Sequence, residues 1–414
     1  MIRIKNLSIW RNWVYFLLIG LLVLLFGGYF SGSTKAEKQP GAQKPNDPVN
    51  LAIDKGLDYL MKKSIPAAGR EAELVALTLI HCGVKPNDQK LKELVDKIAL
   101  KQLRQTYQVA LKAMVLEAYD RVKYQYEIAQ CAQALINWQS VEGRWAYTAT
   151  YYDNKDIKPT MTKGPPQLVE VITGQGETDK NTKRSKSLEN SYVVKRNNLK
   201  RPTGGDNSNT QFALLGLRSA ARAGITIPKE TWTDAAQWLR GAQAADGGWS
   251  YVTNNEGPSY GSMTCAGICG LAIALCYLEQ DFLKDQSIQN GLNWLSNNLK
   301  YSNNPGVSNS VMKGFGPGDL MWHYYFVYGI ERVGAVLGLT EIGGHNWYKD
   351  GSEYLVSAQS LKDGSWNTPT DDTHSNMIAD TCFALLFLKK ATAKLELKSV
   401  ITGKEETQPE KEKE

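Results

Sequence analysis

Histidine is scarce. The chain has four among 414 residues, which leaves little material for an imidazole-rich metal centre. Cysteine is nearly as rare, and none of the six, Cys82, Cys131, Cys265, Cys269, Cys276 and Cys382, falls in a loop. Each sits in an apolar, helix-like stretch, so no disulfide framework is implied and the thiols read as small buried hydrophobes. A Gly-x-Ser-x-Gly elbow and a glycine-rich phosphate loop are both absent, which removes the α/β-hydrolase and P-loop classes. Charge of one sign is lacking too. Lys and Arg number 48 against 42 Asp and Glu, a net of +6, too mild a surplus to point to nucleic acid. What the chain does have is 42% hydrophobic residues, enough over this length for a large packed core.

The clearest targeting signal is an uncharged apolar run near the N-terminus. It extends from Val14 to Phe30, with Arg3, Lys5 and Arg11 before it, Trp10 and Trp13 on one flank and Tyr29 at the other. As a helix it would rise about 25 Å, close to the thickness of a hydrocarbon core. Residues 1–33 are therefore expected to be a membrane anchor or a signal segment. The length of the run favours an anchor, while Ser31, Ser33, Thr34 and Ala36 offer small residues to a peptidase. The preceding cations place the rest of the chain outside the cytoplasm. It would be a single-pass protein of the inner membrane or, after cleavage, a secreted or periplasmic one. A Pro-, Lys- and Gln-rich linker follows over residues 34–49.

Beyond the linker the chain repeats a two-helix unit. One helix of each pair is amphipathic, at residues 51–63, 88–102, 124–139, 230–243, 285–299 and 347–359. Its partner is apolar over more of its circumference and rich in Ala, Gly and Cys, at 71–82, 106–120, 207–223, 261–280, 320–338 and 374–392. A helix apolar nearly all round is buried, and one with a single apolar stripe lies at a surface. The alternation thus predicts an all-α fold, an (α/α)6 toroid over residues 50–394 with six outer and six inner helices. An open solenoid would need polar capping repeats, and the last pair is among the most apolar.

Three turns between outer and inner helices share a signature: Gln139 to Gly143 and Trp145, then Gln243, Asp246-Gly-Gly and Trp249, then Gln359, Asp363-Gly364 and Trp366. Glycine permits a left-handed turn, Trp can fold over the end of the preceding helix, and the Gln amide can satisfy its open backbone groups. These segments resemble the QW motifs of squalene-hopene and oxidosqualene cyclases. The helix alternation resembles those enzymes and the β subunits of protein prenyltransferases. Longer strings, Asp206 to Leu217, Ser262-Met-Thr264, Tyr325 to Arg332 and Gly343 to Tyr348, look like uncharacterised repeat proteins of this superfamily from planctomycete-type bacteria, a resemblance that implies no known activity.

Residues 148–205 interrupt the third pair. From Lys155 to Arg201 this insert holds 11 Lys or Arg against Asp156, Glu170, Glu177, Asp179 and Glu189. It reads as a solvated excursion, or else as a lid or docking arm. The Lys- and Glu-rich tail over 395–414 reads as disordered.

The resemblance implies where catalysis would sit. Cyclases of this superfamily protonate an isoprenoid with the central Asp of a DxDDT sequence at the start of an inner helix. Here Asp206-Asn207-Ser208-Asn209-Thr210 stands in that place, and Ser208 replaces the proton donor with a hydroxyl far too weakly acidic. The prenyltransferases hold zinc with Asp, Cys and His. Asp380, Cys382 and His374 form an incomplete set in which Asp380 reads more readily as a helix cap. The thioester sequence of complement-type toroids is missing. Of the other histidines, His81 reads as a cation suited to a helix C-terminus, His323 as a core residue and His345 as part of a turn.

No catalytic residue, resident metal or cofactor is therefore expected. What remains is a ring mouth built from inner-helix N-termini carrying Asp206, Asn207, Asn209, Thr210, Gln211, Ser262, Thr264, Asp380 and Thr381, with Trp322, Tyr324, Tyr325 and Tyr328 as stacking surfaces. The expected function is a non-catalytic binding or scaffolding module at the cell envelope for a glycan, lipid or protein. The competing expectation is a repurposed cyclase- or prenyltransferase-like enzyme with an isoprenoid substrate.

Overall fold

The amphipathic stretches become helices whose apolar positions recur every three or four residues. Between Gln89 and Leu100 the buried residues are Leu91, Leu94, Val95, Ile98 and Ala99, and the Asp88 side chain caps the start by accepting from the Leu91 N–H. The inner type is different. From Gly261 to Cys276 every residue is buried. The computed structural model describes residues 47–63, 69, 71–152, 157–168, 170, 187–197, 200–252, 257–310, 318–368 and 376–396. The anchor or signal segment at 1–33 and most of the linker and tail lie outside the described residues. Among those described, no helix is long and apolar enough to cross a membrane.

Outer and inner helices alternate along the chain: α1 (Pro48–Lys63) and α2 (Ala72–His81), α3 (Gln89–Leu100) and α4 (Thr106–Asp120), α5 (Gln125–Trp138) and α6 (Asn207–Arg222), α7 (Lys229–Gly241) and α8 (Gly261–Tyr277), α9 (Gln286–Asn298) and α10 (His323–Leu337), α11 (Trp347–Ala358) and α12 (Met377–Leu388). Each inner helix packs on the next, α2 on α4, α4 on α6 and so on to α12, and α12 packs back on α2. The outer helix α11 likewise meets α1. The ring is closed by these two contacts. Small residues bring inner helices close: a Cβ added at Gly216 of α6 would lie 2.7 Å from the Ala110 Cα of α4.

The fold is mostly helical, as expected, but not helical alone. Two small sheets accompany the helices, one pairing β1 (Leu103–Gln105) with β2 (Thr148–Tyr152), the other ordering β3 (Thr160–Lys163), β4 (Asn190–Val193) and β5 (Ile225–Thr226). The insert crosses the ring surface, and its backbone groups take partners there. Its described parts are solvated only in places, such as β3. Ile157, Leu188 and Val194 are buried, and Arg196 and Arg201 pair with Asp234 of α7 at 3.3 and 2.9 Å. Glu170 is 2% exposed. It receives Arg218 Nε at 3.0 Å, Arg222 Nη1 at 3.2 Å and the Tyr277 hydroxyl at 3.0 Å. This acid of the basic insert thus pairs with two inner-helix arginines, and they hold its carboxyl below the usual carboxylate range against the opposing effect of burial.

The ring also extends slightly past the expected bounds. α1 begins at Pro48, within the predicted linker. Leu395, at the start of the predicted tail, is buried and its N–H donates to Val336 O.

Candidate functional site

The three Gln/Trp turns have one geometry. Trp145, Trp249 and Trp366 are fully buried, and their indole N–H groups donate to Leu135, Leu239 and Leu355 carbonyls at 2.7 to 2.8 Å, near the end of the preceding outer helix. Gln139 Nε2 donates to Gly143 O and Thr231 O, Gln243 Nε2 to Gly247 O and Ser287 O, and Gln359 Nε2 to Gly364 O and Ala52 O. The second acceptor of each pair lies in the first turns of another outer helix, α7, α9 and α1. Each turn therefore fastens one outer helix to the next, and the third joins the end of the ring to its beginning. Asp246 accepts from Gly248 N, Ser259 Oγ and Trp294 Nε1, while Asp363 accepts from the N–H and hydroxyl of Ser365.

This geometry takes the threonines out of the predicted mouth. Thr210, Thr264 and Thr381 are fully buried, and each Oγ1 accepts the backbone N–H of a motif tryptophan at 3.0 to 3.1 Å. Ser262 and Asn304 exchange hydrogen bonds in the core. Asn207 Nδ2 donates to Met263 O at 2.9 Å. Asp206 caps α6, accepting from Asn209 N and Nδ2 at 2.8 Å, and burial pushes its carboxyl upward. Asp380 accepts from the Thr368 N–H and hydroxyl at 2.9 and 3.0 Å, and burial lifts it to about 6. Cys382 is buried, its thiol pushed up to about 12 by desolvation. His374 lies outside the described residues, among which no three metal-ligating side chains gather.

Of the aromatic candidates, Tyr325 and Tyr328 reach the ring interior, both beside Arg332. Trp322 is the half-buried, left-handed residue before α10. Tyr324 is buried beside His323, 4.6 Å between ring centres, and His323 Nε2 donates to Tyr301 O. His81 is also not the cation expected: burial and the nearby Arg222 and Lys389 charges lower it to about 4, leaving it neutral.

What meets inside the ring joins Tyr325, Tyr328 and Gln211 to residues that motif comparison did not select, Tyr107, Phe212, Phe383 and Arg332. Phe212 of α6 stacks on Tyr325 of α10 across the interior at 6.1 Å; Tyr107 of α4 meets Phe212 at 4.4 Å, and Phe383 of α12 meets Tyr325 at 5.5 Å. Among these rings lies the Arg332 guanidinium, 4.5 Å from the centre of Tyr328, 5.4 Å from Tyr325 and 5.6 Å from Phe212. The Tyr325 hydroxyl donates to Gln211 Oε1 at 2.9 Å, accepts from Arg332, and lies 3.5 Å from Ser208 Oγ. Ser208, Tyr107 and Tyr325 are half-buried, and Tyr107 and Ser208 lie in the first turns of α4 and α6, so the cluster comes nearest to solvent at the inner-helix N-termini. At the other end, beneath Tyr328, a cavity of about 60 Å³ lies among Leu77, His81, Arg218, Arg222 and Thr392. That is room for water. Arg332 was legible as one signal only: an arginine in the middle of an apolar inner helix must find partners inside the protein.

No family model matches the sequence, and no curated protein does. Among solved structures the chain is similar to a ligand-free type II terpene cyclase from Scytonema, with 13% identity over 83% of this chain and 98% of that one and a TM-score of 0.47. It is similar also to Candida albicans protein geranylgeranyltransferase-I complexed with GGPP, with 13% identity over 86% and 98% of the two chains and a TM-score of 0.47. The helix contacts described above, and not these distant likenesses, establish the ring.

Proposed function

We propose that this ring is a non-catalytic binding or scaffolding module of the cell envelope, its ligand entering at the inner-helix N-termini. The observation that carries the reading is the guanidinium of Arg332 inside the aromatic cage. Aromatic rings around a chamber attract a cation, and here a permanent one already occupies them, so a carbocation formed beside it would meet like charge in a poorly screening interior. Ser208, half-buried in the first turn of α6, stands where the resembling cyclases carry their acid and offers no proton of comparable acidity. Asp380, a candidate zinc ligand by resemblance, is engaged by Thr368. The anchoring of the chain by residues 1–33, with the ring outside the cytoplasm, belongs to the same proposal. Protease added to intact spheroplasts should digest the ring, and full protection until lysis would contradict that orientation.

A second reading, a repurposed isoprenoid enzyme, draws on Asp380, a buried carboxyl lifted to about 6 and thus able to hold a proton near neutrality. Turnover separates the two. Purified chain incubated with squalene or with geranylgeranyl diphosphate and a peptide thiol, with and without zinc, should form no product. Product that disappears in Asp380→Ala would establish the enzyme.

A further inference from the structure

We propose that the mouth of the ring receives the carboxylate group of a small monoanionic molecule at Arg332 and Gln211, where both side chains meet the Tyr325 hydroxyl. This deepens the binding-module reading and rests on it. Arg332 is 1% exposed and Gln211 fully buried. Arg332 Nε and Nη1 and Gln211 Nε2 have no hydrogen-bond partner among the described residues. All three are N–H donors, so the atom that satisfies them is an acceptor. The rings of Phe212, Tyr325 and Tyr328 attract the guanidinium and the Tyr325 hydroxyl accepts from it, but that oxygen is neutral and Nε and Nη1 keep no acceptor among the described residues, and a buried cation lacking a counter-charge is costly.

The neighbouring acids are committed elsewhere. Glu331 accepts from the Thr392 N–H and hydroxyl at 2.9 and 2.8 Å, and burial raises it to about 7. Glu170 and Glu117 are paired with Arg218 and Arg222. One guanidinium is balanced by one negative charge. A carboxylate supplies that, whereas a phosphate dianion would bring a second, uncompensated charge into the same site. The half-buried Tyr107 and Tyr325, with Phe212 and Phe383 beside them, offer contact to an apolar body attached to the carboxylate.

The test uses three probes that share one alkyl chain, octanoate, octanol and octyl phosphate, titrated calorimetrically into the full chain. Octanoate should bind about tenfold or more tightly than either other probe, the value of a charge-assisted hydrogen-bond set. Arg332→Met should lose that advantage, and Gln211→Leu should reduce it by a smaller factor; if Arg332→Met fails to fold, Gln211→Leu carries the comparison. Equal binding of octanol, tighter binding of octyl phosphate, octanoate affinity unchanged in the variants, or no octanoate binding would each overturn the assignment. The two readings fail separately. Turnover of an isoprenoid would sink the binding-module reading whatever octanoate does, and a neutral compound retained at this site would sink only the carboxylate.

Discussion

At the scale of single residues, tryptophans that look alike in sequence do different work. Trp249 is fully buried, with its indole and backbone N–H groups both engaged, while Trp322 is half-buried at the N-terminus of α10. Trp249→Ala should lower the denaturant midpoint at unchanged slope, by a stability loss of roughly 3–5 kcal/mol, and Trp322→Ala should cost clearly less. A Trp249→Ala protein that unfolds like wild type would mean the turn is no fastening. The Gln, Gly and Trp of these turns were legible because the chemistry of the turn lies within a few residues. The threonines were not. Thr210, Thr264 and Thr381 read as mouth residues because they start inner helices, but the tryptophan each one serves sits 65, 15 and 15 residues earlier. Arg332 escaped for a similar reason, since its partners come from α6 and α10 together.

At the scale of elements, the helices were legible almost residue for residue, because amphipathic and all-round apolar periodicity differ strongly over a dozen positions. The strands were not, because β3, β4 and β5 are four residues or fewer and their pairing partners are remote. Beside the glutamine hydrogen bonds, the turn glycines let the backbone come close to the next outer helix. Gly247 has φ +89°, and an added Cβ would lie 2.9 Å from the Asn290 carbonyl oxygen of α9. Gly83 has φ +86° with nothing within 4 Å. Both alanine variants incur the left-handed penalty of roughly 1–2 kcal/mol, so their difference isolates the helix-to-helix contact. Gly247→Ala should be the less stable of the two in parallel denaturant titrations, and equal losses would show that the contact contributes nothing.

At the scale of the whole molecule, the ring was legible as six helix pairs, whereas the filling of its interior was not, since that depends on side chains from α4, α6, α10 and α12 meeting across it. Burial of charge inside the ring also ties stability to pH. Glu331, raised to about 7 by desolvation, binds its proton more tightly folded than unfolded. Its contribution is therefore greatest below the unfolded value of about 4 and is lost as pH rises to about 7. Glu331→Gln should gain stability relative to wild type between pH 5 and pH 8, and parallel profiles would show the carboxyl to be solvated. The central claim is that the ring binds through Arg332 and does not transform what it binds. Its most direct measurement is mass spectrometry of small molecules released from chain purified without denaturation, wild type beside Arg332→Met. The wild type should carry a carboxylate-bearing compound whose mass does not change on prolonged incubation, and the variant should lack it. A wild type that carries nothing, or a compound retained equally by Arg332→Met, would contradict the account.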